Sequence, residues 1–143
     1  MEVIRKLREK LETVFNDDER IAAVYLFGSH AEGVTHPGSD FDIGVLVKIK
    51  HLEHFSLDDE LDLEVKASLA LNTDNFDLVF AHKTTIAMRY RILNPQHLIF
   101  EFDEEERIEQ ESRAVMEYLD FSYYLNKFYE GQKHTILSES VDV

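Results

Sequence analysis

"LFGSHAEGVTHPGSDFDIGVLV", Leu26 to Val47, is the stretch on which the reading of this 143-residue chain turns. An apolar run breaks at Gly28-Ser29, passes through Gly33, Pro37 and Gly38, and resumes behind Asp40 and Asp42. Ile21–Phe27 is short, apolar and bounded by turn residues, which predicts a buried strand. Asp42–Val47 predicts a second strand, with a loop over residues 30–39 and one helical turn at Ser29–Glu32. Residues two apart in an extended segment share a face, so Asp40 and Asp42 project together while Phe41 points away. Neighbouring carboxylates repel, and both stay ionised only beside a cation or in open solvent. A hard divalent ion, Mg²⁺ in particular, takes such oxygen ligands and shares them with substrate phosphates. A solvated strand end with two turn-forming acids is the plainer reading of a bare Asp-x-Asp. Gly28-Ser29 has two readings as well. The glycine permits a sharp turn and close approach of an anion, and the serine offers a hydroxyl and an N–H. An ordinary strand-to-helix turn with a serine N-cap would use the same pair.

Outward from this stretch, Ile4, Leu7, Leu11, Val14 and Phe15 recur at helical steps, predicting a first helix that ends near Asn16-Asp17. Asp58–Leu71 repeats apolar residues at Leu61, Val65 and Leu69 behind an acidic start, again a helix. Phe76–Phe80 reads as a third strand, Thr84–Leu93 as a helix stopping before Pro95, and His97–Phe102 as a brief extended segment. Glu104–Lys127 places Ile108, Ser112, Val115, Leu119, Ser122 and Leu125 on one face, predicting a long helix behind the sheet. With no repeat or linker, one mixed α/β (α+β) domain over residues 1–130 is expected. It would hold a small sheet of three to four strands flanked by helices, with a flexible polar tail over 131–143.

Composition narrows the function. Acids outnumber bases 29 to 15, and Glu101–Glu111 is a dense acidic run, so direct nucleic-acid binding is not expected. A net charge of −14 favours a basic protein partner instead. The absence of cysteine excludes disulfides and thiolate metal sites and makes a cytoplasmic protein the expectation. No apolar run approaches the roughly 20 residues a membrane span requires, and the first residues lack the core of a signal peptide.

Gly28-Ser29, ten residues, then Asp40-Phe41-Asp42 resembles the signature of the nucleotidyltransferase superfamily that includes the palm of DNA polymerase beta. The shortness of the chain, the single helix before the signature strand and the later "FDLVF" narrow the likeness. Over about residues 1–127 the chain resembles the minimal nucleotidyltransferase (MNT) family, whose members are often antitoxins paired with HEPN-domain toxins. The resemblance implies the nucleotidyltransferase fold and transfer of AMP from ATP to a hydroxyl. Gly28 and Ser29 would bind the nucleotide, Asp40 and Asp42 one or two Mg²⁺ ions, and Asp77 would be the third carboxylate. Asp77 falls in an apolar strand where an unpaired acid would be costly, although a strand-edge acid facing water is the other reading. The acceptor implied is a tyrosine of a HEPN-type RNase toxin, which would make the chain an antitoxin. Two further readings stand beside it: transfer to a small molecule of aminoglycoside type, and an antitoxin that neutralises by binding alone.

Other residues are read more blandly. His51 and His54 lie three apart with no third ligand evident, so no zinc site is expected. His30 and His36 lie in the signature loop and are read as solvated, with contact to phosphate or base as the alternative. Arg89 and Arg91 are read as helix-surface residues with a triphosphate contact as the alternative, and Tyr118, Tyr123, Tyr124 and Tyr129 as packing residues.

Overall fold

The computed structural model describes residues 2–28 and 41–141. A first helix, α1 (Glu2–Phe15), precedes strand β1 (Ile21–Phe27). Strand β2 (Phe41–Val47) is followed by a 3₁₀ segment, helix α2 (Leu57–Leu71) and strand β3 (Phe76–Phe80). Helix α3 (Ile86–Ile92), strand β4 (Leu98–Glu101) and helix α4 (Glu104–Val141) complete the order. The four strands form one mixed sheet in the order β3-β2-β1-β4. β1 runs antiparallel to β2 and β4, whereas β2 and β3 are parallel, with α2 as the crossover that parallel neighbours require. This is the mixed α/β sheet the pattern predicts and the nucleotidyltransferase fold the resemblance implies, with four strands.

Each face of the sheet carries its own core. On one side Leu7, Leu11 and Phe15 of α1 and Leu63 and Ala67 of α2 cover Val24, Ile43, Val45 and Val47. On the other, Ile92 of α3 and Ala114 of α4 pack with Ala23, Tyr25, Phe27 and Leu46. β1 is buried along its whole length because both of its neighbours and both helical layers cover it. At Gly44 the missing side chain makes room for α3: a Cβ there would stand 2.5 Å from Ile92 Cγ2.

Three sequence expectations change. In α2 the apolar row that suggested the helix is not the row that packs; Leu61, Val65 and Leu69 are exposed, while Glu60, Leu63 and Ala67 are buried. Buried Glu60 pairs with Lys83, so a charged residue takes a core position that hydropathy alone would refuse it.

In α4 the expected face of Ile108, Val115, Leu119 and Leu125 is exposed. The packed row is mostly polar. Glu111 Oε2 accepts from the Tyr25 hydroxyl (2.8 Å), Glu111 Oε1 accepts from Arg107 (2.6 Å), and Gln110 donates to the Val47 carbonyl (3.0 Å). Tyr118 does pack, stacking on Tyr90 at 4.1 Å between ring centres, but Tyr123, Tyr124 and Tyr129 are exposed.

The same helix runs past Lys127 through Gly131 to Val141, so residues 131–141, expected as a loose tail, are helical. No proline interrupts them, and one glycine with open space around it costs a helix only about 1 kcal/mol.

Candidate active site

Strand register brings the sequence candidates together. Asp42, second residue of β2, pairs with Phe27, last of β1, on one side and with Asp77, second of β3, on the other. Residues in register on adjacent strands present their side chains to the same face. Asp42 and Asp77 thus share the face on which Gly44, Leu46 and α3 lie. Thirty-five positions apart in the sequence, they are neighbours because α2 returns the chain parallel to β2.

Gly28 follows immediately on β1 and sits at φ +83°, a backbone conformation that side chains bearing a Cβ rarely adopt. A Cβ on Gly28 would lie 3.1 Å from Asp42 Cγ and closer still to Asp42 Oδ2. The space that the missing side chain leaves is filled by the Asp42 carboxylate. Among the described residues, the anion beside Gly28 is the Asp42 carboxylate. Ser29 and Asp40 lie outside the described residues, as do the expected turn at Ser29–Glu32 and His30 and His36.

Asp77 sits on an edge strand and is exposed, rather than buried in an apolar environment. Its strand alternates, with Phe76 and Phe80 buried beneath the sheet and Asp77 on the opposite face. The β3 edge therefore solvates an acid without a buried partner. Among the described residues no group of three His, Cys, Asp or Glu side chains is placed to hold a metal ion, and His51 and His54 form no part of one. The described donors that would suit a hard cation are Asp42 and Asp77, two carboxylates side by side.

Arg89 is occupied elsewhere. Its guanidinium donates to the carbonyls of Ala81 (3.1 Å) and Thr84 (2.9 Å) and pairs with Glu117 (3.2 Å), tying the turn after β3 to α3 and α4. It is a structural residue.

Sequence reasoning missed Tyr25 and His82. The hydroxyl of Tyr25, buried at the centre of β1, has its pKa pushed well up, first by burial and then by its hydrogen bond to Glu111. His82, against the rings of Phe55 and Phe80, is held below the ordinary imidazole value by burial. Neither adjoins Asp42. No motif marks them, since each is defined by a neighbour distant in sequence.

These features place the chain among known proteins. A family model described as "Polymerase beta, Nucleotidyltransferase" matches residues 9–105, more than half the sequence. The chain belongs to the polymerase beta nucleotidyltransferase family and is, by that membership, a nucleotidyltransferase.

Its fold is similar to that of a chain in a toxin–antitoxin crystal structure with AMP-PNP. The TM-score is 0.66 at 18% identity, over 87% of this chain and 96% of that one. It is similar too to a chain in the complex of tri-AMPylated Shewanella oneidensis HEPN toxin with MNT antitoxin. There the TM-score is 0.63 at 15% identity, over 90% and 97% of the two chains. A chain of the MntA–HepT toxin–antitoxin structure gives 0.63 at 16% identity, over 89% and 97%. At such identities the likeness is one of fold. Among curated proteins none matches the sequence. Among the described residues no helix is long and apolar enough to cross a membrane.

Proposed function

We propose that the chain transfers AMP from ATP to a tyrosine hydroxyl of a cognate HEPN-type RNase toxin and thereby acts as its antitoxin. The observation that carries this reading is the pairing of Asp42 with Asp77 beside Gly28, on a fold similar to chains of toxin–antitoxin complexes. One of those complexes contains an AMPylated toxin, which supports AMP as the transferred group and a protein as the acceptor.

Asp42 and Asp77, with Asp40 two residues before Asp42 in sequence, are the carboxylates that would hold Mg²⁺. When bound, the metal would supply charge neutralisation for the triphosphate and for the attacking and departing oxygens. Gly28 lets the chain turn away from β1 directly against Asp42, setting the carboxylate's position from the backbone side. Ser29 and the Gly28 backbone would contact the β- and γ-phosphates. The acceptor oxygen attacks the α-phosphorus, the bond to the pyrophosphate oxygen breaks, and pyrophosphate leaves. Asp77 accepts the hydroxyl proton, a role suited to an accessible carboxylate on an edge strand.

The test is incubation with α-labelled ATP, Mg²⁺ and the cognate HEPN-type protein. Label is expected on a tyrosine of the toxin, with loss of its RNase activity. A toxin that is bound and neutralised yet unlabelled would refute transfer and favour neutralisation by binding alone. In a parallel incubation with a panel of aminoglycosides, label on one of them and none on the protein would favour the small-molecule reading.

A further inference from the structure

Among the described residues, the outward row of α2 takes no part in the core. Leu57, Leu61, Val65 and Leu69 are 63%, 49%, 57% and 77% exposed. Spaced four apart, they form an aliphatic strip about 18 Å long on a helix that is firmly anchored. Ser56 and Asp59 form a capping box at its start, Asp59 also pairs with Arg20 at 2.9 Å, and Leu63 and Ala67 hold its other side in the core. A helix buried on one side and aliphatic on the other leaves an apolar face for something else to cover.

Two observations say what covers it. The first is charge. Of the five acids in the segment, Glu60 is buried against Lys83 and Asp59 and Asp62 pair with Arg20 and Lys66, which leaves Asp58 and Glu64 as its exposed, unneutralised acids. Glu64 and Asp74 line the groove of about 330 Å³ alongside Leu61, Val65, Ser68 and Leu69. A second copy of the chain would set acid against acid. A partner with an apolar centre and a lysine- or arginine-rich rim would be complementary.

The second observation is position. The groove includes Asp74, in the connection from α2 to β3, at the end of the sheet where the parallel strands β2 and β3 begin and carry Asp42 and Asp77. A protein seated along α2, which covers the opposite face, would border that end of the sheet.

We propose that this acid-rimmed aliphatic groove is the docking surface for the protein acceptor, engaging a basic, apolar-centred face of the toxin. The inference rests on the proposed function and deepens it. An RNase needs basic surface to hold its phosphate-rich substrate, and docking there would cover that surface. It gives the row of exposed leucines a part in acceptor specificity and leaves the chemistry to the carboxylates.

The experiment uses the full chain and the HEPN-type toxin. Leu61→Ser with Val65→Ser removes the centre of the strip, and Asp62→Asn with Glu64→Gln removes rim charge. Both pairs are on the exposed side of α2, so thermal melting and ATP affinity should match the parent. In the transfer assay the apolar pair should raise KM for the toxin at least tenfold with kcat at saturation unchanged. The rim pair should flatten the dependence of KM on salt. A KM equal to the parent's in the apolar pair overturns the docking proposal while AMP transfer stands. A parent that binds ATP but neither binds nor labels the toxin overturns the function itself. Sedimentation adds a third arm: a parent dimer that the apolar pair converts to monomer means that a second copy occupies the groove, and also overturns the proposal.

Discussion

Gly28→Ala probes the site from its backbone side, through a contact visible only in three dimensions. Three effects compete. The methyl group makes φ +83° costly, about 1–2 kcal/mol for a residue with a Cβ. Asp42 must also give way: the new Cβ overlaps its Oδ2, and restoring ordinary contact requires the carboxylate to move about 1 Å. If that movement leaves Asp42 off its rotamer, it costs about 0.5–1.5 kcal/mol more. Against these, alanine lowers the entropy of the unfolded chain and returns about 0.4–1 kcal/mol. The costs win, leaving a net loss of about 1–3 kcal/mol. For a domain of this size that is roughly 3–10 °C in Tm. The functional effect should be larger than the thermal one, because misplacing a reacting group by about 1 Å can cost 10²-fold in rate. Calorimetry and the AMP-transfer assay, run well below the variant's Tm, separate the two. A protein that melts lower but transfers at the parent rate would refute the claim that Gly28 positions Asp42. One that also melts like the parent would refute the strained turn.

Asp77→Asn should keep the fold and ATP binding yet lower transfer about 10²-fold, since the amide neither accepts the proton nor replaces a charged ligand; parent-rate transfer would instead direct attention to Asp74. Tyr25→Phe removes the hydroxyl that donates to buried Glu111 at 2.8 Å, leaving Arg107 as the donor the structure gives that carboxylate. The expected loss is about 1–2 kcal/mol, read as a lower denaturant midpoint at unchanged slope. His82 has its folded-state pKa below the unfolded value of 6.5 because burial disfavours its charged form. Below pH 6.5 the unfolded chain then binds more protons at this position, so its contribution to stability falls with pH until the folded pKa is passed and levels off beyond it. Unfolding at a series of pH values should show a shallower acid-side slope in His82→Phe than in the parent, and equal slopes would exclude His82 as a source.

The parts of the fold legible in the sequence are those in which local pattern and tertiary burial agree. Leu7, Leu11 and Phe15 recur at helical steps and are buried; IAAVYLF is uniformly apolar and lies in the middle of the sheet. Prediction failed where one pattern serves two environments. Leu61, Val65 and Leu69 announce a helix correctly but not which of its faces is inside, because an exposed apolar strip and one meeting a core have the same periodicity. In α4 the packed row is built from Arg107, Gln110 and Glu111, whose burial depends on Tyr25, Glu101 and the Val47 carbonyl. Tyr25 and Val47 are far from these residues in sequence, and no hydropathy rule would choose the row.

The candidate site was legible for a different reason. Gly28, Asp42 and Asp77 each end or begin a strand, and strand ends can be read from the sequence even where the contacts between strands cannot. The missing step was register. Shifting β3 by one residue against β2 would turn Asp77 toward Leu7 and Leu11 and bring Phe76 or Leu78 beside Asp42. Burial of Phe76 and Phe80 in the core under α1 and α2 prevents that slip. The two phenylalanines thus hold the carboxylate pair in place without touching it. The pairing that carries the proposed chemistry depends on an apolar alternation of five residues, FDLVF, whose aspartate occupies the one face from which it can reach Asp42.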